Sequence, residues 1–159
     1  MRVIKYNVEL GECGRNILVK EESANYPEYC SRQVLIIPSM IADFANKVFG
    51  ANRKAEEYLW LLAFDSKMHL IGTFNVSHGT VCTSFMGGRE IFTRLLLCGA
   101  TCGVLIHNHP SGDPTPSLED IKSTKKVQEL GKMLGCSIVD HIIVGSDDTY
   151  RSLKEMNLM

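Results

Sequence analysis

Two histidines separated by one residue, His107 and His109, have the side-chain type and spacing needed to hold a metal ion. They follow a short apolar run, Cys102 to Ile106, which predicts a buried strand. Alternate residues of a strand project from the same face, so both imidazoles should point the same way. Two neutral imidazoles in this arrangement can share one metal ion.

The segment that follows the histidines is expected to be stiff. It runs from Pro110 to Pro116 and holds three of the five prolines of the chain. Because the proline ring fixes φ, a loop this rich in proline has little conformational freedom. Such a loop can hold a third ligand in place, and Asp120 is the candidate.

Asp120 has two interpretations. Ser117 and Asp120 have the spacing of a capping box, and an ordinary helix cap would explain both residues without a metal. An inward-facing carboxylate, in contrast, must pair with a cation or bind a metal to offset its desolvation. A helical wheel favours the inward orientation, since it groups Asp120 with Thr124, Val127, Gly131 and Leu134 and puts Lys122, Lys125 and Glu129 on the opposite side.

Together, His107, His109 and Asp120 predict one catalytic Zn²⁺ ion per chain. Two nitrogens and one oxygen leave one tetrahedral position open for a water that can ionise near pH ~7. That water needs a proton acceptor, and either Glu56 or Glu57 can supply it. Both precede an apolar strand, and alternation directs them to opposite faces, so only one of them can reach the metal.

The elements that must position these residues alternate between strands and helices, which predicts an α/β layered sheet. Residues 1 to 37 are less regular: IKYNVEL and RQVLII are possible strands, and Glu21 to Tyr29 resembles a loop. The predicted elements of the remaining chain are a helix from Pro38 to Gly50, a hairpin of Tyr58 to Phe64 with Leu70 to Val76, a helix ending at Gly99, the strand Cys102 to Ile106, a helix from Ser117 to Leu134, the strand Ser137 to Val144, and one or two helical turns within Tyr150 to Asn157.

Composition sets limits on the class of protein. A chain of 159 residues with 45% hydrophobic residues is the size of one domain with one sizeable core. Its net charge of -1 does not indicate a nucleic-acid partner. No signal peptide or membrane span is recognised, so we expect a soluble cytoplasmic protein. The six scattered cysteines form no CxxC pair and are expected to be buried or free thiols.

His141 follows Asp140 within an apolar strand. A buried histidine that is hydrogen-bonded to a neighbour explains it better than a metal ligand does. Cys98 and Cys102 lie close before His107, but packing is their more common role.

The pattern of these residues resembles a known family, the JAMM (MPN+, or JAB) metalloproteases, and most closely their RadC-type branch. That family has a distant glutamate, then HxH, seven residues, a serine, two residues and an aspartate. This spacing is matched by His107, His109, Ser117 and Asp120, and the segment HNHPSGDPTPS is typical of the branch. The similarity extends from about Glu56 to Gly145 and includes the stretches Ser77 to Thr80, Arg89 to Phe92 and Asp140 to Ile143.

The resemblance implies a mixed β-sheet with flanking helices, similar to the layered architecture of cytidine deaminases. It implies a zinc-dependent peptidase or isopeptidase whose peptide or protein substrate is unknown. It favours Glu57 over Glu56 as the general base, and it implies that Ser117 donates a hydrogen bond to the oxyanion.

The resemblance also implies a division of the chain. Residues 38 to 159 correspond to the RadC-like JAB domain, and residues 1 to 37 form an N-terminal extension that we expect to pack on it. Longer members carry a helix-hairpin-helix region, which residues 1 to 37 do not resemble. Two other functions remain as alternatives: a DNA-repair-associated or DNA-processing activity, and a non-catalytic interaction module. The sequence does not predict an oligomeric state.

Overall fold

The computed structural model describes residues 1–29, 37–79 and 86–159. Within these ranges the chain forms seven strands and three α-helices. The strands are β1 (Arg2–Leu10), β2 (Asn16–Asn25), β3 (Glu57–Phe64), β4 (Leu70–Gly79), β5 (Cys102–Asn108), β6 (Ser137–Val144) and β7 (Tyr150–Ser152). The helices are α1 (Pro38–Phe49), α2 (Gly88–Leu97) and α3 (Leu118–Leu134).

All seven strands belong to one mixed sheet in the order β2-β1-β4-β3-β5-β6-β7. Two neighbouring pairs, β1 with β4 and β5 with β6, are parallel, and the other four pairs are antiparallel. This confirms the predicted α/β fold with a mixed sheet and flanking helices. It is also consistent with the JAB fold implied by the resemblance.

Strands β3 and β5 lie at the centre of the sheet and are buried on both faces, which explains why they are nearly continuous apolar runs. Alternate residues of β3 enter two separate cores. Trp60, Leu62 and Phe64 pack on one face with α1. Leu59, Leu61 and Ala63 pack on the other face with residues of α2 and α3. The sheet is therefore covered by helices on both sides.

The helix boundaries agree well with the capping signals in the sequence. Helix α1 begins at a proline and ends before Gly50, and α3 ends before Gly135. Both glycines have left-handed backbone conformations, with φ of 65° and 67°, which glycine adopts without steric cost. The predicted inward face of α3 is wrong at one residue, Leu134 in the last turn, which is 49% exposed.

Two other local predictions need correction. The tail begins with strand β7, which pairs with β6, and only the residues after it form turns. The segment Glu21 to Tyr29 is not a loop throughout, because its first five residues belong to β2. Each of these strands pairs with the strand that precedes it in the chain, but β2 is largely polar and β7 has only three residues, so their own sequence patterns are weak. The predicted strand RQVLII lies almost entirely outside the described residues.

The N-terminal strands join the sheet through β1. It pairs with β2 along its length and with β4 at Lys5–Thr73 and Tyr6–Phe74. The division of the chain after residue 37 stays a prediction. None of the helices in the described ranges is long and apolar enough to cross a membrane.

Candidate metal centre

The two predicted histidine ligands lie at the end of β5. His107 is almost fully buried and His109 is partly buried, and their Nε2 atoms lie 2.8 Å apart. Leu105 packs in the core beneath α2 and α3, and the strand period of two puts His107 on that same face. The histidines therefore face the start of α3, where the third candidate is located.

Asp120 in the first turn of α3 completes the cluster. Its Oδ1 is 3.6 Å from Nε2 of His107, and its Oδ2 is 3.6 Å from Nε2 of His109. Only 18% of the Asp120 side chain is exposed, which agrees with its predicted inward orientation. Among the described residues, these three form a group whose potential ligand atoms all lie within 4.8 Å of one another.

The helix cap that served as the alternative explanation is present as well. The backbone N–H of Asp120 donates to Ser117 Oγ, and the backbone N–H of Ser117 donates to Asp120 Oδ2 at 2.7 Å. The Ser117 hydroxyl also donates to Oδ2 at 2.6 Å. The capping box thus orients the carboxylate toward the histidines, so the two interpretations of Asp120 are compatible.

The donor set fits a zinc ion. Ligand atoms about 2.0–2.1 Å from zinc at tetrahedral angles lie roughly 3.3 Å apart. The two Nε2 atoms lie 2.8 Å apart, and each lies 3.6 Å from a different oxygen of the Asp120 carboxylate, so the ligand atoms are spaced near that value. Two imidazole nitrogens and one carboxylate oxygen are typical of zinc sites that keep a fourth position open.

His109 is held by the proline-rich loop. Its Nδ1 donates to the carbonyl of Asp113 at 2.7 Å, which leaves Nε2 without a proton in the neutral ring. The loop is itself anchored, because the N–H of Ser146 donates to the carbonyl of Gly112 at 3.0 Å. A Cβ on Gly145 would lie 2.3 Å from that carbonyl oxygen, so only glycine permits this contact.

His107 is held by a buried histidine. Its Nδ1 lies 2.8 Å from Nε2 of His141, and His141 Nδ1 lies 2.7 Å from Oγ1 of Thr124. His141 is thus a buried histidine bonded to a neighbour, as the sequence suggested, but the sequence did not indicate that the neighbour is a candidate ligand. Burial lowers the pKa of His141 to about 4, and burial together with His141 holds the pKa of His107 well below its ordinary value.

The pKa values of His109 and Asp120 shift in opposite directions. Burial acts to lower the pKa of His109, but the Asp120 carboxylate and the Asp113 carbonyl raise it on balance. Burial acts to raise the pKa of Asp120, but the histidines and Ser117 hold it below its ordinary value. The carboxylate is therefore ionised at neutral pH and available as a ligand.

Glu57 lies on the same side of the sheet as the cluster. It alternates with Leu59 and Leu61, which pack under α2 and α3, whereas Glu56 is exposed. Burial raises the pKa of Glu57, and its carboxylate also interacts electrostatically with His109 and Asp120. The structure thus brings Glu57 into the neighbourhood of the three candidate ligands.

Asn108, which the sequence did not single out, links β3 to the histidine pair. Its Oδ1 accepts from the N–H of Tyr58 at 2.9 Å, and its Nδ2 donates to the carbonyl of Glu56 at 3.0 Å. Asn108 is 1% exposed. The strand period directs the Asn108 side chain away from the metal cluster, so the sequence predicted no role for it. Its position between two candidate ligands was the one available sign that it matters.

This is an α/β domain with a two-histidine, one-aspartate cluster at the end of a central strand. The RadC-like JAB domain family matches residues 36–158, and the chain belongs to that family. It is 38% identical over 144 residues to a UPF0758 protein of Clostridium novyi, covering 90% of this chain and 62% of that protein. It is 42% identical over 104 residues to a UPF0758 protein of Alkaliphilus metalliredigens, covering 65% of this chain and 44% of the relative.

A third relative, the UPF0758 protein of Geotalea uraniireducens, is 36% identical over 122 residues, covering 77% of this chain and 52% of the relative. The chain therefore spans about half the length of these relatives.

Proposed function

We propose that this chain is a zinc-dependent peptidase or isopeptidase that hydrolyses an amide bond. The observation that carries the proposal is the convergence of His107, His109 and Asp120, whose ligand atoms lie within 4.8 Å of one another. A zinc ion in such a site supplies Lewis acidity, which makes water acidic and polarises a carbonyl group.

The residues around the cluster have roles that follow from their chemistry. His107, His109 and Asp120 hold the ion. Glu57 accepts a proton from the attacking water and later returns it to the leaving nitrogen, a task suited to a partly buried carboxylate with a raised pKa. Ser117 donates its hydroxyl to the oxyanion, for which its hydrogen bond to Asp120 must be exchanged.

The preference for an amide substrate rests on the similarity to JAMM metalloproteases. The DNA-processing alternative gains no support from the net charge of -1. The non-catalytic alternative gives no role to the group of three potential metal ligands and the carboxylate of Glu57 that interacts with it.

The proposed function is tested by measuring the zinc content of the protein and its cleavage of a peptide library. Purified wild-type chain is loaded with one equivalent of zinc, and cleavage of a fluorogenic peptide mixture is followed by fluorescence and mass spectrometry. We expect cleavage that stops on addition of a chelator and returns with zinc. The variant Glu57→Gln should retain stoichiometric zinc and lose turnover by about 10²–10⁴-fold.

The matched control is the exposed neighbour, Glu56→Gln, which should remain active. Loss of turnover in Glu56→Gln with retention in Glu57→Gln would overturn the assignment of the base. Wild-type protein that binds no zinc would overturn the proposed function.

A further inference from the structure

Three hydrogen bonds connect two of the candidate ligands through the interior of the protein. His107 Nδ1 contacts His141 Nε2, His141 Nδ1 contacts Thr124 Oγ1, and Thr124 Oγ1 donates to the backbone carbonyl of Asp120 at 2.6 Å. Thr124 and His141 are both 0% exposed, so these atoms are shielded from bulk solvent. The series begins at one ligand's ring and ends at another ligand's main chain.

The direction of each hydrogen bond follows from the last one. A carbonyl oxygen only accepts, so the single proton of the Thr124 hydroxyl is used on Asp120. His141 must then donate its Nδ1–H to Thr124, which leaves His141 Nε2 as an acceptor. His107 therefore donates its Nδ1–H to His141, and the Nε2 atom of His107 carries a lone pair.

The reverse arrangement is incompatible with metal binding. If Thr124 donated to His141, the proton of His141 would lie on Nε2 and point at His107. The proton of His107 would then lie on its own Nε2, the atom that faces His109 and Asp120. A protonated nitrogen cannot donate a lone pair to a metal.

We propose that Thr124 and His141 are positioning residues that hold His107 in the tautomer with its proton on Nδ1, so that Nε2 is ready to bind the metal. This inference rests on the proposed zinc site. It goes beyond the ligands themselves, because neither Thr124 nor His141 touches the metal position. Partners of this kind orient ligating histidines and tune metal affinity in many sites.

The threonine can be tested with conservative variants. Thr124→Val keeps the shape of the side chain but removes the hydroxyl, whereas Thr124→Ser keeps the hydroxyl. Thr73→Val is the matched control, since Thr73 is also buried, at 1% exposed, but its hydroxyl lies near the carbonyl of Ile4 on β1. Zinc affinity is measured by competition with a chromophoric chelator, with no substrate present.

We expect Thr124→Val to weaken zinc binding by about 10–100-fold, Thr124→Ser to bind within a few-fold of wild type, and Thr73→Val to be unchanged. Binding by Thr124→Val as tight as that of wild type would overturn the proposal. Weak zinc binding by the wild-type chain would count against the proposed function instead, so the two failures are distinguishable.

A second measurement does not depend on zinc, and its decisive spectrum is that of the wild-type protein. Long-range ¹H–¹⁵N NMR spectra of the metal-free wild-type protein report which imidazole nitrogen carries the proton. We expect the proton of His107 on Nδ1, and in Thr124→Val a mixture of the two tautomers. His109 is the internal control, because its Nδ1–H is held by the Asp113 carbonyl in both proteins. A wild-type His107 protonated on Nε2 would overturn the proposal.

Discussion

The side chain of Asn108 binds both peptide groups that flank Glu57. It accepts from the N–H of Tyr58 at 2.9 Å and donates to the carbonyl of Glu56 at 3.0 Å. The β3–β5 ladder runs through Leu59 opposite His107, so these two bonds extend the cross-strand pairing by one step. A residue between two candidate ligands thus fixes the backbone of the candidate base.

Replacing Asn108 with alanine should lower turnover and leave zinc bound. The variant loses the two hydrogen bonds, so Glu57 is held less firmly, and two buried backbone groups lose their partners at a cost of about 1–3 kcal/mol each. Peptide cleavage, zinc content and denaturant unfolding measure the three effects. Asn46→Ala is the control, since Asn46 makes comparable hydrogen bonds to Asn52 and Asp148, neither of which lies in β3. Equal turnover losses in both variants would argue that Asn108 acts only on stability.

Ser117 should contribute separately to stability and to turnover. Ser117→Ala removes the helix cap and should lower the free energy of unfolding by about 0.5–2 kcal/mol, because the Asp120 N–H loses its partner. It should also lower kcat, because the oxyanion donor is absent. Ser117→Asn is an equally good cap and should restore stability but not kcat. Full restoration of kcat by Ser117→Asn would contradict a specific role for the hydroxyl.

Zinc should stabilise the folded chain. A ligand that binds only the folded state at about 100 times its Kd adds roughly 2.7 kcal/mol. For a domain of this size, that corresponds to an increase in Tm of about 5–10 °C. Differential scanning fluorimetry with and without zinc measures the shift. His109→Ala should abolish it, and His69→Ala should keep it, because His69 pairs with Asp65 away from the cluster. An equal shift in His109→Ala would place the zinc elsewhere.

The interior thiols should be slow to react. Burial raises the pKa of Cys98, Cys102 and Cys136, so little of the reactive thiolate is present at neutral pH. Cys13 is exposed and, of the four cysteines that the structure describes, should be alkylated first by iodoacetamide under native conditions. Peptide mass spectrometry after timed quenching measures each rate. Reaction of Cys102 as fast as Cys13 would contradict its placement in the core. Cys30 and Cys82 lie outside the described residues.

Local patterns were sufficient for most of the fold around the site. The apolar runs of β3 and β5 predicted strands because both are covered on two faces, and Gly50 and Gly135 marked helix ends because they adopt left-handed conformations. The polar strand β2 carried no such signal. It forms because β1 offers an edge to pair with, which is a property of the neighbour.

The sequence by itself determined the candidate ligands. Strand alternation predicted that His107 and His109 share one face, and the helical wheel predicted that Asp120 faces inward. Both predictions were possible because these periodicities are local properties of the backbone. Only the tertiary structure decided what surrounds them. The face of β3 that meets α3 puts Glu57 near the cluster, and the parallel pairing of β5 with β6 brings His141 beside His107. These contacts join residues far apart in the chain, and no local period encodes which strand will lie next to which.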